Sequence, residues 1–270
     1  GHAGRASASE PHGRWGAGRS PRAVTTVAAV LAVGVLGVGA GWTSGPVADR
    51  LARSRYAEGA PDHDPEDTAL APLRGPTSRR ARVGVAVACG LAGAGLAATI
   101  GWGVVLLPFV AVAWVGLTAS IVDLQYLRLP NVLTYGGAAA ALALCAGGAY
   151  WYDDLSSFRG AVTGSLLYAG MLLGLLVLFR VVAGLDGLGL GDVKLALALG
   201  APLGWYTWTP EFPVLGALQV VAYAAMFGSI TSVLAAAVLT RFERGRAFPF
   251  GPFLVAGWLF AALLVDTLAV

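Results

Sequence analysis

The chain has 270 residues, 57% of them hydrophobic and only 12% charged, with a net charge of +3. Its apolar residues arrive in blocks of about 20, the length needed to cross ~30 Å of hydrocarbon, so a water-soluble domain is excluded as the main body. The small positive excess is informative only through where Lys and Arg fall, and no nucleic-acid partner is expected.

Residues 1–23 are rich in Gly, Ala, Ser and Arg without an apolar period and read as a disordered tail. The first predicted span follows at 24–43. Residues 44–82 form the one sizeable polar segment, mixing Asp62, Asp64, Glu66 and Asp67 with seven arginines, too short and polar for a core of its own. Further spans are predicted at 83–100, 103–122, 131–150, 161–183, 193–207, 214–240 and 249–268, the sixth being short. The expected fold is all-α, a polytopic membrane helix bundle of about eight transmembrane helices embedded in the lipid bilayer. Small-residue runs such as Gly90 to Gly95 allow close helix approach without specifying a pairing.

Cys89 and Cys145 lie inside apolar runs and no CxxC occurs, so neither a disulfide framework nor a thiolate zinc site is expected. His2, His12 and His63 lie outside the spans and share no ligand spacing. An HExxH metallopeptidase and a membrane serine hydrolase using histidine are thereby excluded, and no metal is expected.

With the N-terminus outside, the inner segments hold 13 of the 18 Lys and Arg residues and the outer ones 5. Arg50, Arg74, Arg82, Arg128, Lys194 and Arg244 are among the inner set. This positive-inside bias makes 44–82 a cytoplasmic loop. Trp102, Tyr150, Trp151, Tyr152, Trp205, Tyr206 and Trp208 then fall at the outer ends, where interfacial rings anchor. The basic tail before residue 24 argues the other way, and residues 24–41 also read as the apolar part of a signal peptide.

Two carboxylates interrupt this apolar pattern. Asp123 closes a run in Ser120-Ile121-Val122-Asp123-Leu124, and Asp192 stands in Gly189-Leu190-Gly191-Asp192-Val193-Lys194, beside the chain's one lysine. Two membrane-length segments separate them, so both are predicted at the same face, the cytoplasmic one. Ionisable residues at a bilayer are costly and default to a functional reading. Each also has a bland reading: Asp123 ends a span, and Asp192 caps a helix. Lys194 either snorkels to the surface or tunes the acidic site, since a cation in a first helical turn opposes the dipole. Pro130, followed by Asn131, forces a sharp turn next to Asp123.

Paired carboxylates share a proton near neutral pH. The charged one takes a proton from water as that water attacks a peptide carbonyl; the protonated one hydrogen-bonds the carbonyl oxygen and helps the amine leave. The pair titrates as a unit, so the acid and the base are not assigned separately.

Asp123-Leu124 with Leu129-Pro130-Asn131 and Leu133-Thr134, then Gly187-Leu188-Gly189-Leu190-Gly191-Asp192-Val193-Lys194-Leu195, and finally Phe248-Pro249-Phe250-Gly251-Pro252-Phe253-Leu254, resemble three signatures of the type IV prepilin leader peptidases, the bacterial GxGD aspartyl proteases. The resemblance covers most of residues 83–268, and 83–270 is expected to be the peptidase membrane domain. It implies a multi-pass inner-membrane endopeptidase that removes short basic leaders from prepilins and pseudopilins of pilus or secretion systems. Asp123 and Asp192 would be its catalytic pair. Gly189, Gly191, Lys194, Pro130, Asn131, Pro249, Gly251 and Pro252 would support the site or shape the substrate groove.

One departure stands out. Many members carry paired CxxC zinc motifs after the first span and also N-methylate the new terminus. Residues 44–82 lack cysteine, so no zinc domain, no bound S-adenosylmethionine and no other cofactor are expected. A presenilin-like protease is disfavoured because Val122, not tyrosine, precedes Asp123 and no late Pro-Ala-Leu occurs. A proton or cation transporter would place ionisable groups near the midplane and at several depths, whereas these spans are almost free of charge.

Overall fold

The computed structural model of the protein describes residues 23–56, 77–183, 189–211, 214–240 and 248–268. The predicted tail and the Gly187-Leu188 half of the glycine motif lie outside them, as does most of the acidic stretch before residue 77. The described residues form α1 (Ala23–Tyr56), α2 (Arg79–Ile100), α3 (Leu106–Tyr126), α4 (Asn131–Trp151), α5 (Phe158–Leu178), α6 (Leu190–Tyr206), α7 (Leu215–Thr240), α8 (Gly251–Leu263) and a short α9 (Val265–Leu268). A polytopic helical bundle is the result: among the described residues six helices are long and apolar enough to cross a membrane.

Each of the eight predicted spans falls on helix, but the last is broken at Leu264 into α8 and the four-residue α9, and α6 and α8 are short, at 17 and 13 residues. At 1.5 Å per residue they extend about 26 and 20 Å. Burial explains how α6 stays in the bundle at that length. Leu195, Ala196, Ala198, Leu199, Ala201 and Leu203 are fully buried, so beyond its first turn it is apolar and packed on most sides by protein.

α5 and α6 approach each other closely. Gly160 and Gly164 on one face the carbonyls and Cα atoms of Gly200 and Gly204 on the other, two GxxxG pairs whose missing side chains let backbone touch backbone. Gly90 and Gly93 of α2 likewise pack on α1, against Val38 and Val33.

Two expectations need correction. α1 does not stop at residue 43 but continues as helix to Tyr56. The apolar run ends at 43 and Gly45-Pro46 follows as a breaker pair, yet α1 carries Pro46 inside it, while Thr43 and Ser44 donate their hydroxyls to the Ala40 and Gly41 carbonyls, at 2.8 and 2.7 Å, and remain within the helix. Trp205 is not an interfacial anchor. It is buried, with its indole N–H donating to Ser157 Oγ at 2.9 Å. Trp102, Tyr150 and Trp151 are exposed, as interfacial rings should be.

Candidate active site

α3 ends in a tight, specific stop. Leu127 adopts the left-handed conformation at φ 52° and donates its N–H to the Asp123 carbonyl at 2.8 Å. Pro130 then caps α4 in an extended conformation with φ −65°, and Asn131 is the first helical residue. The chain thus reverses over residues 127–130, beginning four residues after Asp123, whose side chain is buried at 6% exposure.

Asp192 is equally buried. It stands at the third position of α6, with Gly189 as the cap, so the sequence expectation of a capping aspartate is right in kind and displaced in position. Asp192 Oδ2 accepts the Gly189 N–H at 3.2 Å, while the Asp192 N–H donates to the Gly189 carbonyl at 3.1 Å. This is the returning half of a capping box, made with glycine as the cap residue. Oδ1 is buried and has no hydrogen-bond partner among the described residues. Capping and chemistry are therefore compatible: one oxygen fixes the carboxylate, and the other is left over.

The third motif closes the arrangement. Gly251, the first residue of α8, donates its N–H to Asp123 Oδ2 at 2.9 Å. A helix start has several N–H groups without intrahelical acceptors. Here Pro252 has none to offer, and the N–H groups of Phe253 and Leu254 both turn back to the Phe250 carbonyl. The Gly251 N–H is accordingly the donor that reaches the carboxylate, with the positive end of the α8 dipole behind it. A Cβ there would lie 2.9 Å from Asp123 Oδ2, so any side chain at 251 pushes the carboxylate from its place. We expect Gly251→Ala to lower peptidase turnover by roughly 10- to 100-fold, as small misplacements of reacting groups do. Steady-state kinetics on detergent-purified protein checks this, with a thermal melt to show that the fold is kept.

The two carboxylates come together. Asp192 interacts electrostatically with Asp123, and Gly191 packs so closely on the α3–α4 turn that a Cβ would be 3.1 Å from Leu129 Cβ. Lys194 serves the same junction. Its ammonium donates to Asn131 Oδ1 at 2.9 Å and lies 5.2 Å from the Tyr135 ring centroid, tying α6 to α4 by a hydrogen bond and a cation–π contact. Among the described residues its ammonium is thus held by α4, within one turn of Asp192 on α6. Lys194→Met should cost about 1–2 kcal/mol of stability through the lost bond and lower activity less than either aspartate substitution; melting curves alongside rate measurements test both halves.

Pro249 is buried behind Gly251, and Phe248 stacks on Phe253 at 5.3 Å between centroids. Alongside, an apolar cleft of about 200 Å³ lies between α2, α3 and α8, lined by Ala88, Ala92, Leu117, Ser120, Pro252 and Val255. Ser120 is one helical turn before Asp123 and Pro252 follows Gly251, so the cleft lies one turn from Asp123 without either carboxylate lining it.

Comparison with known proteins falls on the same part of the chain. Residues 109–240, which contain both aspartates, match the type IV leader peptidase family. A prepilin leader peptidase/N-methyltransferase of Burkholderia pseudomallei (strain 1026b) is 37% identical over 142 residues, covering 52% of this chain and 41% of that protein. One from Aeromonas hydrophila is 32% identical over 162 residues, 59% of this chain and 49% of its own length. One from Pseudomonas putida is 31% identical over 179 residues, 65% and 56% respectively. The chain thus spans about half the length of the curated relatives it matches. No solved structure matches it. The helical segment that brings Asp123 and Asp192 together is thus the part of the chain that is similar to the type IV leader peptidase family.

Proposed function

We propose that this protein is a membrane aspartyl endopeptidase that cleaves the basic leader peptide of prepilins or pseudopilins at the cytoplasmic face of the inner membrane. The observation that carries the reading is the pair itself: two buried carboxylates from α3 and α6, each held by one backbone N–H and each within reach of the other's charge. Such a pair shares a proton. One carboxylate draws a proton from the attacking water while the other donates to the carbonyl oxygen and then to the leaving amine. Gly251 and Gly189 fix one oxygen of each carboxylate, so the acids keep their orientation through the exchange.

The apolar cleft beside Asp123 offers room for an apolar stretch of substrate next to the scissile bond, and the Lys and Arg bias supports an inward-facing site. The names of the relatives include N-methyl transfer. For this chain, with no cysteine in 44–82, we propose hydrolysis and assign no methylation.

The direct test is cleavage of a prepilin-like substrate with a basic leader by the full chain in lipid, in water enriched in ¹⁸O. The expected result is a single cut after the leader, one ¹⁸O in the new carboxylate from water attack, and an unmethylated new amine even with S-adenosylmethionine present. Absence of any defined cut across several leader sequences would overturn the peptidase assignment, and a methylated product would overturn the restriction to hydrolysis.

A further inference from the structure

Three carboxylates are buried among the described residues: Asp123, Asp192 and Asp49. The third lies on the part of α1 that extends beyond its apolar run, and the hydrolytic reading does not use it. Asp49 is 5% exposed and fully engaged. Its Oδ1 accepts the Thr77 hydroxyl at 2.8 Å, both oxygens share the Thr77 N–H at 3.2 Å, and Gln125 Nε2 donates to Oδ1 at 3.4 Å. Arg82 on α2 pairs with Oδ2 at 3.6 Å and donates its Nε to the Thr77 carbonyl at 3.1 Å. One carboxylate thereby joins α1, the entry to α2, and α3.

Mere attachment of α1 to α3 does not need this. Ala48 already packs on Ile121 and Val122, and Trp114 donates its indole N–H to the Ala40 carbonyl at 3.1 Å further along the same pair of helices. Burying a carboxylate costs several kcal/mol before its partners repay it. The place where that cost is met is informative: Gln125 is two residues from Asp123, in the last turn of α3, just before the left-handed Leu127. That turn is held from one side by the Gly251 N–H on Asp123 and from the other by Asp49 on Gln125.

We propose that Asp49 and Gln125 form a positioning latch that sets the depth and rotation of the last turn of α3, and so where the Asp123 carboxylate stands relative to Asp192. The inference rests on the two-aspartate reading. Neither residue touches substrate; both act through Asp123. A shift of about 1 Å in a reacting group costs up to ~10²-fold in rate. The latch therefore predicts a loss in turnover without a loss in substrate binding.

The test compares wild type, Asp49→Ala, Gln125→Ala, the double variant and Asp123→Asn, all as full chain in lipid with the same prepilin-like substrate. Each single variant is expected to lower kcat by 10- to 100-fold with KM unchanged within twofold, and the double variant to be no worse than the more damaged single. Losses that multiply, or that fall on KM alone, or kcat values equal to wild type, overturn the latch. Asp49→Ala also strands the Arg82 charge, and if it fails to fold, Gln125→Ala decides alone, because it leaves the Asp49 bonds to Thr77 and Arg82 in place. Activity surviving in Asp123→Asn would instead sink the two-aspartate reading, whichever way the latch variants behave.

Discussion

Asp123→Asn and Asp192→Asn are each expected to abolish cleavage, by at least about 10³-fold, while the helical bundle stays folded. The size follows from what asparagine lacks. It can neither take a proton from water nor release one to the departing amine, and general acid–base participation is worth roughly 10²–10⁴-fold for each group. The preserved fold follows from what asparagine keeps. Its carbonyl oxygen can still accept the Gly251 N–H at position 123, or the Gly189 N–H at position 192. A pair that shares a proton already holds a single charge, and a neutral asparagine beside one remaining carboxylate leaves that charge no higher, so the thermal midpoint should stay near that of wild type. Because the carboxylates work as one device, the double variant should be no slower than either single, the non-additivity expected of groups that act together. Cleavage assays with melting curves on all three variants test the scheme. Residual turnover above a hundredth of wild type in either single variant would remove that aspartate from the chemistry and return attention to ion movement.

The second large effect concerns the fold on which the pair depends. Gly164→Leu is expected to prevent assembly of α5 against α6, because a Cβ at 164 overlaps the Gly200 carbonyl oxygen and comes within 2.7 Å of Gly204 Cα. These are backbone atoms with no rotamer to yield. The cost should exceed the ~1–3 kcal/mol of ordinary overpacking, where side chains can move aside. Even Gly164→Ala should lower the thermal midpoint measurably. α6 carries Asp192 at its start, so the damage should reach activity as well. Gly170→Ala is the control: it lies on the same helix with open space around its Cβ and should be neutral. Comparable losses at 164 and 170 would refute the close-packing account.

Much of the architecture was legible along the chain. The spans are read from run length alone, since hydrocarbon thickness sets the length of a crossing helix. The glycine-aspartate motif, the Leu129-Pro130-Asn131 turn and the Phe248 to Leu254 stretch are local patterns, and each stands at a helix boundary for reasons of local chemistry. GxxxG at 160–164 and at 200–204 was equally readable, but a small-residue pattern does not name its partner.

What the sequence by itself determined is thus the set of helices, their breaks, and two carboxylates at those breaks separated by two membrane-length segments. Tertiary structure alone decided which groups serve those carboxylates. Gly251 reaches Asp123 across 128 residues of sequence, Lys194 reaches Asn131 across 63, and Asp49 reaches Gln125 across 76. The physical reason is that hydropathy and turn chemistry are local quantities, whereas the satisfaction of a buried polar group depends on which helices pack together. An aspartate such as Asp49 looks like an ordinary loop charge until α2 and α3 close around it and supply partners that water would otherwise have provided.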